Sequence, residues 1–389
     1  MKDKILNRFT ECFDGKAPEF ISRASGRVEL LGGHTDYNDG FVIASAIDSS
    51  FWVACARRDD SMIRMYSEWA GDYFEFDPSQ KLKSGEEFKW ANYGIGVAKL
   101  LAEAGVSLGG ANLMITGNVP VGAGLSSSAA LEISIAKALM SLFNGQHIID
   151  NKALAQICQK AENVYAESPC GIMDQTVVAH GVKDHAIMLD CRSLNVEHLP
   201  LDSHNCCVMI FNSMVSHQVG GGDYGDRRQQ CEKALEIIAP QEPEIKALRD
   251  VDEKMLSAFE DKLGELLYKR ARHVVTENAR VLAGKEALIK GDLVKFGRLM
   301  HESHCSARDL YQISCEQIDF LVEEIIKCNG AFGARLSGGG FGGAAVAVVD
   351  PGFAEEIKNK VAKAYKKQFG ISSDIYVAKP FQGTEVVKV

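Results

Sequence analysis

The chain has 389 residues, 46% of them hydrophobic and 24% charged, with a formal net charge of −9. This is the composition of a soluble globular protein with room for two domains and a large core. The acidic balance argues against nucleic acid as a main partner, because a phosphate backbone wants a basic face, and it leaves open a small phosphorylated ligand held by backbone amides.

No apolar run is long enough to span a bilayer. The charged segment 1–13 (MKDKILNRFTECF) does not read as a signal peptide. Eleven cysteines, an odd number without C-x-x-C spacing and with Cys206 and Cys207 adjacent, read as free thiols in a reducing compartment. The expected location is the cytoplasm.

In chain order, apolar residues at helical spacing predict a helix over 3–13. Residues 19–31 (EFISRASGRVELL) read as strand, turn, strand. The loop 32–40 (GGHTDYNDG) crowds His34, Asp36, Tyr37, Asn38 and Asp39 between apolar strands, which resume at 41–47 and 51–56. Such a loop either recognises a polyhydroxylated or charged ligand or is a tight Asn/Asp/Gly turn. His34 alone reads as a structural histidine sooner than as a ligand, and no third soft ligand at a useful spacing favours a metal there.

A helix is expected over 90–104 and a short strand over 111–116. Residues 117–140 (GNVPVGAGLSSSAALEISIAKALM) then run from a glycine-rich loop into a helix capped by Ser126, Ser127 and Ser128. Strand, glycine-rich loop and helix start make an anion site, because the first helical N–H groups lack partners and the helix dipole favours negative charge. The three hydroxyls can bind phosphate oxygens or a magnesium ion. The plainer reading is a serine-capped glycine turn; neither a Walker A loop nor a G-x-G-x-x-G fingerprint is present.

A helix over 151–166 carries Glu162. Residues 168–181 (SPCGIMDQTVVAHG) set Asp174 among apolar neighbours, where a carboxylate must be paired, put to use, or satisfied at a helix start. Strands are expected at 185–191 and 206–212, joined by a polar link over 192–205. Three glycines at 220–222 precede Tyr224 and the basic pair Arg227 and Arg228, which read as a solvated helix face. Helical periodicity dominates 241–325. A second glycine-rich loop opens 330–350, with a strand at 344–349, a helix at 354–369 and a strand at 374–378. Strands and helices mix without regular βαβ alternation, so the fold class is α+β.

Four motifs stand in order. GRVELLGGHTDYNDG at 26–40 resembles the galactokinase signature. PVGAGLSSSAALE at 120–132 resembles the ATP-binding motif of the GHMP small-molecule kinases, and LSGGGFGGAAVAVV at 336–349 that superfamily's third motif. GIMDQ at 171–175 resembles the galactokinase segment with the catalytic aspartate. The tracts at 212–232 and 299–314 look similar too, so the resemblance runs over nearly the whole chain.

The resemblance implies a two-domain GHMP kinase fold, 1–195 and 196–389, with an interdomain active site and a last strand that returns to the first domain. It implies ATP- and magnesium-dependent phosphorylation of the anomeric hydroxyl of a galactose-like sugar by a monomer or weak homodimer. By position, Asp174 would orient or deprotonate the C1 hydroxyl and Arg27 would stabilise charge on the transferred group. Ser128 and Glu162 would hold magnesium. Gly122, Ala123, Gly124, Leu125, Ser126, Ser127 and Ser128 would cradle ATP, and residues 338–340 would close around the site. Gly33, His34, Asp36, Gly171 and Tyr224 would face the sugar. One metal, one arginine, one carboxylate and a backbone nest suffice for phosphoryl transfer, which needs mostly positioning and charge neutralisation.

Two departures stand out. The family usually has glutamate, which contacts the sugar's C6 hydroxyl, where this chain has Gly33, and proline where it has Ser25. Either Gly33 makes room for a C6-modified sugar such as galacturonate, or Glu29, where the family usually has asparagine, or a water fills the place. Strand alternation alone does not say which way Glu29 points. A sugar sensor without turnover is the other reading, and intact SSSAA, Arg27, Glu162 and Asp174 argue for activity.

Overall fold

The computed structural model describes residues 2–80, 89–120, 124–168, 170–216 and 223–389. Helix α1 (Lys2–Cys12) clusters Ile5 and Phe9 with Ala54 and Met114. The two longest strands follow, β1 (Phe20–Leu31) and β2 (Phe41–Arg57), paired antiparallel. The turn expected within 19–31 is absent. Gly26 instead falls at a register shift between Ser25 and Arg27, and a second shift lies between Glu29 and Leu31. Such bulges bend a strand and re-aim its side chains without ending it. Residues 41–56 are likewise one strand, because Ser50 and Phe51 pair with Ser25 and Ala24 across the expected break.

Strands β3 (Ile63–Ser67) and β4 (Asp72–Phe76) form an edge hairpin. Helix α2 (Ala91–Glu103) leads to β5 (Ala111–Gly117), which pairs with β2 and, in parallel, with β3. Helix α3 (Ser127–Leu142) packs on β1 and β2 with most of its residues buried. Helix α4 (Asn151–Val164) is capped by Asp150, which accepts the Ala153 N–H at 2.8 Å. The short α5 (Met173–His180) packs against α3 and α4. Strand β6 (His185–Asp190) returns to β2, and β7 (Asn195–Pro200) pairs with β6. The polar stretch expected to be a link thus holds a strand of this sheet, and a division at 195 would cut its hairpin.

The rest of the chain supplies β8 (Cys207–Ser216), α6 (Asp223–Ile238), α7 (Glu253–Ala258), α8 (Glu260–Ile289), α9 (Leu293–Ser306) and α10 (Glu316–Ile326). Then come β9 (Ala331–Ser337), β10 (Gly342–Val349), α11 (Ala354–Phe369) and β11 (Asp374–Ala378). The second sheet runs β11-β8-β10-β9. Its central strands are apolar on both faces: Val208, Ile210, Val346 and Val348 join one core cluster, while Met209, Phe211, Ala347 and Val349 join the other. That is why they read as unbroken apolar runs. The final strand β12 (Thr384–Lys388) pairs with β1 in the first sheet. Just before it, Gly383 O accepts the Ser25 N–H at 2.8 Å, a donor that proline would lack. Among the described residues, no helix is long and apolar enough to cross a membrane.

Candidate active site

Arg27 leaves β1 between its two register shifts and forks onto Asp174 in the first turn of α5. Nε donates to Oδ1 at 2.8 Å and Nη2 to Oδ2 at 2.5 Å, while Nη1 reaches the Gly124 carbonyl at 2.6 Å. The Ser126 hydroxyl donates to Asp174 Oδ2 as well. Asp174 is therefore held by side chains from two other elements, not by its own helix start. A carboxylate offers about four acceptor positions; three are taken, which leaves one for an incoming hydroxyl.

Ser126 has left-handed backbone angles (φ 53, ψ 56), and α3 begins at the next residue. The first N–H groups of α3 thus open beside Arg27 and Asp174, an arrangement that suits an anion. Two of the three serines take different partners: Ser126 holds Asp174, while Ser128 bonds to Glu162. Gly122, Ala123 and glycines 220–222 lie outside the described residues. Tyr224 is on α6, with its side chain outside the description.

Glu162 on α4 is wired to α5. Gln175 Nε2 donates to Glu162 Oε2 at 2.7 Å and to Glu132 Oε2 at 3.1 Å, so one amide bridges two buried carboxyl groups. Burial pushes both carboxyls up, Glu132 the further of the two.

On the other side of Asp174, the loop 32–40 is pinned to the second half of the chain. Glu277 Oε1 accepts the Gly32 N–H at 2.9 Å, Asn278 Oδ1 accepts the Phe41 N–H at 2.9 Å, and His273 Nε2 bonds to Gly33 O at 3.1 Å. Tyr37 OH meets His34 Nδ1 at 2.7 Å and Tyr311 OH at 2.8 Å. Arg27, Glu29, His34, Asp36, Gly171 and Asp174 face one cavity of about 200 Å³, with Gly338 and Gly339 in its wall. That is below the roughly 300–1,000 Å³ of pockets for drug-sized ligands. A Cβ on Gly171 would lie 1.9 Å from Asp36 Oδ2, so a larger residue there would displace that carboxylate.

Gly33 is not open space. A Cβ there would fall 2.6 Å from Arg335 Nη2 and 3.3 Å from Glu29 Oε1. The sequence raises Glu29 as one way to fill the place left at position 33 but not Arg335, whose importance rests on its ion pair with Glu29 across β1 and β9. Gln175 and Glu132 escaped for the same reason.

The electrostatics of this wall are set by burial. Burial pushes the Asp36 carboxyl up to about 6, helped by Glu29. It holds the His34 imidazole down to about 3 and His273 to about 4, so both are neutral at physiological pH. The unfolded chain protonates a histidine near 6.5, so His273 contributes stability at neutral pH that is lost as pH falls from about 6.5 to about 4. His273→Gln should be destabilised at pH 7.5, and its deficit against the parent should shrink on the order of 1 kcal/mol per pH unit over that window. Denaturant unfolding at pH 7.5 and 5 checks this; an unchanging deficit would contradict it.

Three family models match. The GHMP kinases N terminal domain covers residues 92–182, the galactokinase galactose-binding signature 7–57, and the GHMP kinases C terminal domain 285–367. The chain is 42% identical over 380 residues to a galactokinase of Roseiflexus sp. (strain RS-1), covering 98% of this chain and 96% of that one. In structure it is similar to Lactococcus lactis galactokinase complexed with galactose, with a TM-score of 0.90, 32% identity and complete coverage of both chains. The Methanococcus jannaschii mevalonate kinase, at 17% identity and a TM-score of 0.65 over 93% of this chain and 98% of that one, shares the fold.

Proposed function

Because the chain belongs to the galactokinase family of GHMP kinases and phosphorylates galactose with ATP, we propose that the Arg27–Asp174–Ser126 cluster carries the transfer. The remaining acceptor position of Asp174 takes the C1 hydroxyl and aims its oxygen at the γ-phosphorus. The observation behind this is the convergence of β1, α3 and α5 on one carboxylate beside the cavity. Arg27 is held rigidly and needs no reorganisation when charge moves onto the transferring group. Residues 122–128 and the head of α3 receive the ATP phosphates. His34, Asp36, Gly171 and Tyr224 contact the sugar.

Ser128 and Glu162 would hold a magnesium ion, which neutralises phosphate charge when bound. Gln175 fixes the Glu162 carboxylate whatever else is present. The free thiols of the chain suit a reducing compartment, and we read the protein as cytoplasmic.

The galacturonate reading suggested by Gly33 is not favoured, because the relative matched along the whole chain in structure is complexed with galactose. A coupled ADP-release assay with magnesium, ATP and galactose, galacturonate, glucose, N-acetylgalactosamine or no sugar tests this. Turnover is expected with galactose above all. Preference for galacturonate, or galactose binding without ADP release, would overturn it.

A further inference from the structure

We propose that Glu29 is the residue that reads a sugar hydroxyl other than the one phosphorylated, accepting its hydrogen bond with a carboxylate held in place by Arg335. The inference rests on the reading of the cavity as the galactose site.

Glu29 is 5% exposed, yet it lines the cavity. Its Oε1 is buried and makes no hydrogen bond, although Arg335 Nη2 stands 3.0 Å away. Arg335 is its ion-pair partner, yet among the described residues no donor fills an acceptor position of this carboxylate, which leaves a group at the cavity wall to accept from a ligand. A carboxylate only accepts, and a sugar hydroxyl is a donor.

Arg335 is well placed to hold this acceptor and poorly placed to replace it. It is 2% exposed, its Nε donates to Leu336 O at 2.8 Å, and its Nη1 lies 3.7 Å from Glu277 Oε1. Glu277 in turn binds Gly32 N and Ser303 Oγ. Glu29, Arg335 and Glu277 thus form a buried line from the first sheet to α8. A Cβ at position 33 would force the Arg335 guanidinium to shift, so glycine there leaves the pair its present place.

The charge pattern adds a specificity. Glu29, Asp36 and Asp174 all face the cavity. A neutral hexose offers hydroxyl donors to all three, whereas a sugar carboxylate placed against Glu29 is repelled. Removing that one charge would leave Arg335 free to attract it.

The test is kcat/KM of the parent and of Glu29→Gln on galactose, its 2-, 3-, 4- and 6-deoxy analogues and galacturonate, with thermal melts of both proteins. The variant is expected to lose about tenfold on galactose, as a charge-assisted bond becomes a neutral one. It should lose nothing on the one deoxy analogue that lacks the hydroxyl concerned, and it should gain on galacturonate. An equal loss on every sugar, or no loss on any, would overturn the assignment; the first would make Glu29 a structural residue. If Glu29→Gln melts far below the parent, Glu29→Asp on the same panel decides, because it keeps the charge while withdrawing the acceptor, and must again spare one analogue. Failure of the parent on galactose itself would instead refute the function proposed above.

Discussion

Replacing Asp174 with asparagine is expected to lower kcat about a thousandfold or more while ATP binding and the fold persist. The amide keeps the shape but presents one acceptor oxygen in place of two. Arg27 and Ser126 both direct donors at Oδ2, and Arg27 directs another at Oδ1. An asparagine NH₂ would meet one of those donors head-on. The variant therefore loses the acceptor for the sugar hydroxyl and the fixed aim of the group at once. Stability should fall by about 2 kcal/mol, less than for a fully buried pair because the Asp174 side chain is 21% exposed. ADP-release kinetics, nucleotide binding by calorimetry and a thermal melt separate these effects. Near-normal turnover would remove Asp174 from the reaction.

The parts of this site that could be read from sequence share one property: they announce themselves locally. Asp174 is a carboxylate in apolar company, and Ser126 to Ser128 stand where a glycine-rich loop enters a helix. Helix 354–369 and strand 374–378 were legible for the same reason, their periodicity being uninterrupted. What could not be read depends on distant partners. Gly26 looked like a turn, yet it sits at a bulge in a strand that pairs with β2 from Phe20 to Leu31 and with β12 from Phe20 to Ala24. Residues 195–200 looked like a linker because an exposed edge strand needs no apolar run. Gly333 suggested a loop, but it lies inside β9, where a Cβ would fall 2.0 Å from Gly297 O of α9. Its smallness serves helix-on-strand packing and not a turn.

The site follows the same division. The missing side chain at Gly33 was visible as a departure, with Glu29 as one way to fill the place, and the part played by Arg335 was not. Only with β9 beside β1 does Arg335 occupy that space and turn Glu29 into a wall of the cavity. Likewise the role of Ser126 in holding Asp174 depends on its left-handed backbone, which a serine in a cap position does not advertise.

Arg27 is the second residue whose loss should be severe, and the form of the loss is informative. Arg27→Met should lower kcat about 10²–10³-fold, the range for removing a preorganised donor aimed at developing charge. Arg27→Lys should recover little of this. Three nitrogens of the arginine are engaged, two on Asp174 and one on Gly124 O, and a lysine ammonium on a flexible stem cannot span both partners. Recovery to near parental activity with lysine would mean that charge alone matters and that the fork is incidental. The pair also predicts non-additivity. If Arg27 and Asp174 act as one unit, the double variant Arg27→Met/Asp174→Asn should be scarcely slower than Asp174→Asn alone. It should also be more stable than the sum of the two single effects implies, since neither charge is then left unpaired. Multiplying rate losses would instead mean that each residue contributes to the transition state through a contact the other does not share.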